Sequence, residues 1–319
     1  MAYYIGVDIG GTNIACGVVN DSCEIIARSK IKTNSQGNSL EYESVLKVIK
    51  SAVTAACDEA KINVSEVKSI GVGSPGVCNS ESGIVENCSN LGFNNSPIKA
   101  DLEAEFKISV YLDNDANAAA FGEFMSGAAK GAKNAVVITL GTGVGAGIII
   151  NEKIYRGSNF AGGEIGHTVI AVDGAPCGCG RRGCFEAYSS ATGLVRMTLK
   201  AGEENPQSKI NDIIKEDGRC SARTAYKAMK AGDAVGKAVT DDYVKYLACG
   251  ITNVINTFQP EILCIGGGVC NEGDILLDPL REAVAAQVYS KNSKKNTEIV
   301  ICSLGNDAGI IGAAMLHKA

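Results

Sequence analysis

His167, Cys177, Cys179 and Cys184 place one imidazole and three thiols in a single glycine-rich stretch of the chain. Three sulfurs and a nitrogen make a complete tetrahedral Cys3His set, the closed kind expected of a structural zinc ion. The glycines of Cys177-Gly-Cys179-Gly-Arg-Arg-Gly-Cys184 let so short a loop wrap one ion. Free cysteines are the alternative. Four protein ligands leave no open position, so the expected ion braces the loop and does no catalysis. Such a site contributes on the order of 10 kcal/mol of apparent binding energy to local folding. Glu164 and Glu186 flank this stretch. A rigid loop would hold both carboxylates ready to accept hydrogen bonds from vicinal hydroxyls, the pattern a sugar presents. Taken alone, they are equally two solvated glutamates.

Two further segments suit phosphate. Gly10-Gly11-Thr12 and Gly141-Thr142-Gly143 are both tight turns after apolar strands, the second led in by Thr139. Glycine permits φ > 0 and close approach of a ligand to the backbone. Successive N–H groups then form a concave anion site, to which a threonine hydroxyl adds a donor. There is no Gly-x-x-x-x-Gly-Lys-Ser/Thr loop, and a strand follows each turn, which excludes the dinucleotide fingerprint. Ordinary hairpin turns are the competing reading for either loop alone. Asp8 ends an apolar strand, where an unpaired carboxylate is costly. Orienting Mg²⁺ between nucleotide phosphates would give it a purpose, as would capping the next turn. Gly266-Gly267-Gly268 could let a nucleotide base or ribose lie against bare backbone.

Asp113-Asn114-Asp115-Ala116-Asn117 follows a short apolar strand and opens an alanine-rich helix. A carboxylate there would sit near the helix N-terminus, which is expected to keep its pKa low. Phosphoryl transfer asks mainly for positioning and late proton acceptance, so a weak base suffices. Capping by Asn or Asp is the plain alternative. Spacing does not choose between Asp113 and Asp115.

The elements that must carry these residues read as mixed α/β. Strands are expected at Tyr3–Val7, Ala15–Val19, Glu24–Lys32, Ser69–Val72 and Ser109–Leu112, with helices over Leu40–Ala60 and Pro97–Phe106. A turn-rich stretch runs from Ser74 to Pro97. Strands follow at Ala135–Leu140 and Gly145–Ile150, then the cysteine loop, then helices through most of Glu186–Phe258. Glu261–Ile265 and Glu298–Ile301 read as strands separated by a helix over Ile275–Val288. Asp307–His317 reads as a closing helix that packs back on the first domain. Ile5 to Asn20 and Val137 to Asn151 echo one another as strand, Gly/Thr turn, strand and Asn, which suggests two related domains.

The 319 residues allow two domains of ordinary size. A net charge of −5 argues against nucleic acid as the main partner. No apolar run reaches bilayer-spanning length and no basic leader opens the chain, so a soluble cytoplasmic protein is expected. The 13 cysteines are odd in number, which with no secretory signal argues against disulfides. Cys16, Cys57, Cys249, Cys264 and Cys302 lie in apolar runs and read as small core residues.

Together these residues resemble the ROK family of sugar kinases over essentially the whole chain. Asp8-x-Gly-Gly-Thr12 matches the family's first phosphate motif, and Leu140-Gly-Thr-Gly-Val-Gly145 its second. Asn114-Asp115-Ala-Asn matches the catalytic segment, and Glu164-x-Gly-His167 with Cys177 to Glu186 matches the sugar and zinc signature. The resemblance implies the actin/hexokinase-like ATPase fold, an α/β architecture of two duplicated ribonuclease H-like domains with an interdomain cleft. The expected boundaries are 1–112 plus 306–319 for a small domain and 113–305 for a large one bearing the zinc loop and helical insertion.

The same resemblance makes Asp115 the catalytic base and gives Asn90, Asn114, Asp115, Glu164, His167 and Glu186 to sugar hydroxyls. Ser74-Pro75-Gly76 would line that pocket. ATP, with Mg²⁺, would lie along Asp8, Gly10, Gly11, Thr12, Thr139, Gly141, Thr142, Gly143, Gly266, Gly267 and Gly268. His167 would ligate zinc through one ring nitrogen and meet the sugar through the other, and domain closure would exclude water. Phe93 stands where the family often has tryptophan. The expected reaction is ATP-dependent phosphorylation of glucose, because the Ser74–Phe93 stretch looks most like the family's glucokinases. Fructose, mannose, allose or an N-acetylated amino sugar is the alternative substrate. The family's repressors carry a helix-turn-helix ahead of the first phosphate strand, and only two residues precede Tyr3 here, which disfavours that class. A homodimer or higher homo-oligomer is implied.

Overall fold

The computed structural model describes residues 2–33, 41–88 and 91–319. In its first part β1 (Tyr3–Ile9), β2 (Asn13–Asn20) and β3 (Ile25–Lys32) are followed by α1 (Tyr42–Ala60) and β4 (Val67–Ser74). Next come β5 (Val77–Asn79), β6 (Ile84–Cys88), β7 (Phe93–Ser96), α2 (Ile98–Phe106), β8 (Ser109–Asn114) and α3 (Asp115–Ser126). The sheet order is β3-β2-β1-β4-β8. The β1–β2 and β2–β3 pairs are antiparallel, and the β1–β4 and β4–β8 pairs are parallel.

Side-chain alternation gives this sheet two different faces. Ile5, Val7 and Ile9 of β1 are fully buried and share a core with Val45, Ile49 and Val53 from one face of α1. Gly6 of β1 and Gly71 of β4 point the other way, where a Cβ would lie 1.9 Å from the Ile310 carbonyl oxygen and 1.7 Å from that of Ala313. The absence of side chains there lets the closing helix rest directly on the sheet.

β9 (Ala135–Leu140), β10 (Val144–Ile150) and β11 (Lys153–Ile154) open the second sheet. The helical stretch resolves into α4 (Phe185–Ser189), α5 (Ala191–Glu204), α6 (Lys209–Asp217), α7 (Thr224–Lys230) and α8 (Ala234–Phe258). β12 (Ile262–Gly266), α9 (Asp274–Gln287), β13 (Glu298–Ile301) and α10 (Ala308–Met315) complete the chain. The second sheet runs β11-β10-β9-β12-β13. Numbered within each sheet, both orders are 3-2-1-4-5, the repeat that the two Gly/Thr hairpins announced. Among the described residues no helix is long and apolar enough to cross a membrane.

The chain divides into a compact unit of residues 1–137, 147–163 and 302–319 and another of 138–146 and 164–301. Residues 113–137 and 147–163 thus pack with the first unit, not with the residues after 113 as expected. The reason is close packing around α3: a Cβ on Gly147 would meet the Ala120 Cβ at 2.3 Å, and one on Gly312 would meet the Ala118 carbonyl oxygen at 1.7 Å. The stretch expected to be turns after Ser74 instead forms a three-stranded antiparallel sheet, β5-β6-β7, whose strands are too short to show an alternating pattern.

Candidate active site

In the first unit, β1 delivers Asp8 and the turn after it supplies Gly10, Gly11 and Thr12. The Gly10 N–H donates to the Asn13 carbonyl at 2.9 Å, and the Thr33 hydroxyl donates to the Gly11 carbonyl at 3.0 Å. Gly11 and Thr12 are exposed. The Asp8 carboxylate has no hydrogen-bond partner among the described residues. It faces α10, where a Cβ on Gly309 would lie 2.6 Å from Asp8 Oδ2. Burial first, and the Asp115 charge second, push the Asp8 carboxyl up to about 6.

β8 ends in Asp113 and Asn114, and α3 begins with Asp115. Asn114 is the cap: its Oδ1 accepts from the N–H groups of Ala116 at 2.8 Å and Asn117 at 3.3 Å. Its Nδ2 donates to the Gly76 carbonyl at 3.1 Å. Asp113 is 1 % exposed and fully engaged. Its Oδ1 accepts from the Asn114 N–H and from Asn117 Nδ2, both at 2.8 Å, and its Oδ2 accepts from Arg156 Nε at 2.7 Å. Asp115 is partly exposed; its Oδ1 accepts its own helix's Ala116 N–H at 2.9 Å, and the Asn114 side chain also favours its charged form. Of the two carboxylates, Asp115 is the one with an oxygen to spare. Its pKa is raised, contrary to the expected lowering, because burial outweighs the N–H groups that favour the charged form.

In the second unit, the Gly141–Gly143 turn is closed by the Gly141 N–H donating to the Gly143 carbonyl at 3.0 Å. α5 leans on it, with the Ala191 N–H bonded to the Gly141 carbonyl and the Thr192 hydroxyl to the Thr142 carbonyl. Contrary to expectation, none of Gly10, Gly11, Gly141 and Gly143 takes a positive φ. The need for glycine at Gly143 is room, since a Cβ would lie 2.3 Å from Glu186 Oε2. Around Gly11 and Gly141 the space is open. Gly267 does carry a φ of 103°, and a Cβ there would meet the Leu140 carbonyl oxygen at 2.2 Å. Thr139 turns its hydroxyl to the Gly145 carbonyl at 3.4 Å.

His167, Cys177, Cys179 and Cys184 bring their ligand atoms within 4.8 Å of one another. His167 Nδ1 lies 3.7 Å from Cys177 Sγ, and Cys179 Sγ lies 3.7 Å from Cys184 Sγ. Tetrahedral Zn–S bonds of about 2.3 Å place sulfurs about 3.8 Å apart, so the four residues fit zinc. Among the five cysteines expected in the core, Cys249 and Cys302 are partly exposed. Glu164 stands exposed ahead of the short 3-10 turn Ile165–His167, its carboxylate without a hydrogen-bond partner among the described residues. Glu186, in the first turn of α4, accepts from the Val144 N–H at 2.9 Å through Oε2, and Cys177 Sγ lies 3.5 Å from Oε1. Phe93 is a core residue, 2 % exposed and set edge-on to Tyr42. Asn90 lies outside the described residues.

Arg156 and the Val144 N–H were not among the expected site groups. Neither carries a local signal, because the Arg156–Asp113 and Glu186–Val144 partners lie 43 and 42 residues apart.

The ROK family sequence profile matches residues 4–319. A glucokinase of Halalkalibacterium halodurans is 39 % identical over 318 residues, covering 99 % of this chain and 95 % of that one. A glucokinase of Streptomyces coelicolor is 33 % identical, with 100 % and 98 % covered. Among solved structures, a ROK family glucokinase from Streptomyces griseus in complex with glucose and AMPPNP superposes with a TM-score of 0.83 at 32 % identity, covering all of both chains.

Proposed function

The chain belongs to the ROK family, and from that membership we propose that it transfers the γ-phosphoryl group of ATP to a hydroxyl of glucose. The observation that carries the reading is the pair of carboxylates Asp8 and Asp115: one unpartnered beside the first glycine turn, the other with a spare oxygen at a helix start. The full-length likeness to glucokinases, one of them holding glucose and a nucleotide analogue, supports it.

Asp115 accepts the proton of the attacking hydroxyl, the 6-OH, as its oxygen bonds to the γ-phosphorus and the bond to the β–γ bridging oxygen breaks, releasing ADP. Burial raises the Asp115 pKa, which makes it a better proton acceptor late in the transfer. The Gly10-Gly11-Thr12 turn and the Thr139 to Gly143 turn would carry the ATP phosphates, with donors from Thr12, Thr142 and Gly143; the Gly10 and Gly141 N–H groups and the Thr139 hydroxyl close the turns themselves. Gly266, Gly267 and Gly268 leave bare backbone for the nucleoside. Asp8 is the residue that would hold Mg²⁺, whose charge would offset that of the phosphates. Glu164, His167 and Glu186 take the sugar hydroxyls, with Asn90 and Asn114. The Cys3His cluster would hold zinc as a brace for Glu164 and Glu186.

The test is ADP release with Mg²⁺ATP across a panel of hexoses, for wild type and Asp115→Ala. Glucose-led turnover that falls at least ~10³-fold in the variant is expected. Turnover led by another hexose would replace glucose in the proposal; no sugar-dependent turnover from a folded, zinc-loaded sample would sink it. Homo-oligomeric assembly and a cytoplasmic setting belong to the same proposal, and light scattering on the purified chain checks the first.

A further inference from the structure

We propose that Arg156 is a positioning residue for the base Asp115, acting through the buried carboxylate of Asp113. The inference rests on the kinase reading above. Asp113 is 1 % exposed, and a carboxylate so deep persists as an anion only when paired and hydrogen-bonded. Among the ion pairs of the described residues, Arg156–Asp113 has the most deeply buried carboxylate. The other Asp113 oxygen holds the Asn114 N–H and the Asn117 side chain, both at 2.8 Å. Those two residues bracket Asp115 in sequence. Asp113 therefore fixes the inner side of the turn that presents the base, and Arg156 supplies the charge that lets Asp113 stay there.

Arg156 is itself held. Gly157 turns the chain with a φ of +74°, and the Gly162 N–H returns to the Arg156 carbonyl at 2.9 Å. A Cβ on Gly162 would lie 2.9 Å from that carbonyl oxygen, so the loop closes only around glycine. The contact to Asp113 is made by Nε alone, one point of charge where a lysine could serve. Without a cation, the buried Asp113 carboxylate has no counter-charge and draws out towards water. That movement frees the Asn114 N–H and Asn117, and with them the seat of Asp115. A displacement of about 1 Å at a reacting group costs up to ~10²-fold in rate.

The experiment compares kcat and KM for Mg²⁺ATP and glucose in wild type, Arg156→Ala, Arg156→Lys and the pair Arg156→Ala/Asp113→Asn, each assayed well below its own melting temperature. Arg156→Ala should lower kcat ~10- to 100-fold while the KM for ATP stays within about threefold. Arg156→Lys should recover most of that kcat, and so should the pair, which removes the uncompensated charge. A kcat within twofold of wild type in Arg156→Ala, or no recovery in either of the other two, would overturn the proposal. If Arg156→Ala does not fold, the pair and the lysine variant decide between the same outcomes through their kcat. A wild type without sugar-dependent turnover overturns the kinase reading itself; an active wild type with an indifferent Arg156→Ala overturns only the role of Arg156.

Discussion

Glu186 Oε2 accepts a hydrogen bond from the Val144 N–H at 2.9 Å. A carboxylate proposed to bind sugar is thus joined to the turn proposed to bind nucleotide phosphate. On its other side Glu186 Oε1 stands 3.5 Å from Cys177 Sγ. One short side chain therefore ties the cysteine loop to the Gly141–Gly143 turn.

This strut predicts that Glu186→Ala weakens ATP as well as sugar. Loss of a charged acceptor from a buried N–H costs about 1.5–3 kcal/mol, equivalent to a rise of about tenfold or more in the KM for ATP. Gly143→Ala should reproduce the ATP effect, because its Cβ would displace the same carboxylate. Steady-state kinetics with either substrate varied checks both. An unchanged KM for ATP in Glu186→Ala would show that the turn holds its shape without the strut.

The ligand-atom spacing predicts one zinc ion per chain. Elemental analysis should find that stoichiometry in wild type and its loss in Cys184→Ser, whose side chain is fully buried in the cluster. Since metal binding is coupled to local folding, chelation should lower the melting temperature by at least about 5 °C. Metal-free protein with unchanged melting would refute the bracing role.

Asp8 predicts a pH dependence of stability with a definite sign. Its carboxyl is raised from 3.8 to about 6, so the folded state holds a proton that the unfolded chain has lost in that window. The stabilising contribution is complete below pH 3.8 and is lost as pH rises through about 6. It amounts to at most roughly 3 kcal/mol. Asp8→Asn should remove this slope and be the more stable protein at pH 7, while losing activity. Chemical denaturation of both proteins between pH 4 and 8 measures it; parallel profiles would contradict the argument.

The bare face of the first sheet predicts that Gly71→Ala is severely destabilising although alanine is small. Its Cβ would sit 1.7 Å from the Ala313 carbonyl oxygen, inside the backbone of α10. The helix must lift from the sheet, at a cost of about 3 kcal/mol or more. Ala→Gly at an exposed strand position does not test this; a melting curve of Gly71→Ala does, and a shift under about 2 °C would refute it.

Much of this was legible locally. The strands Ala135–Leu140 and Glu298–Ile301 have the bounds that their apolar runs set, and the Cys3His cluster closes as its spacing required. Strand and helix periods are local properties, and short glycine-rich loops have few ways to fold. The β5-β6-β7 sheet escaped notice because strands of three to five residues leave no period to read. The Asp115 pKa was misjudged because the helix N-terminus is visible in sequence, whereas the burial that outweighs it is not.

By itself the sequence determined the family, the duplicated Gly/Thr hairpins, the Cys3His cluster and the pair of candidate carboxylates. Each rests on residues close in the chain, where spacing stands in for geometry. Only the tertiary structure buried Asp113 and gave it its Arg156 partner, left Asp115 partly exposed, and bonded Glu186 to Val144. Those assignments depend on burial and on pairs more than forty residues apart, which no local pattern encodes. A carboxylate's role is fixed by what surrounds it, and folding supplies the surroundings.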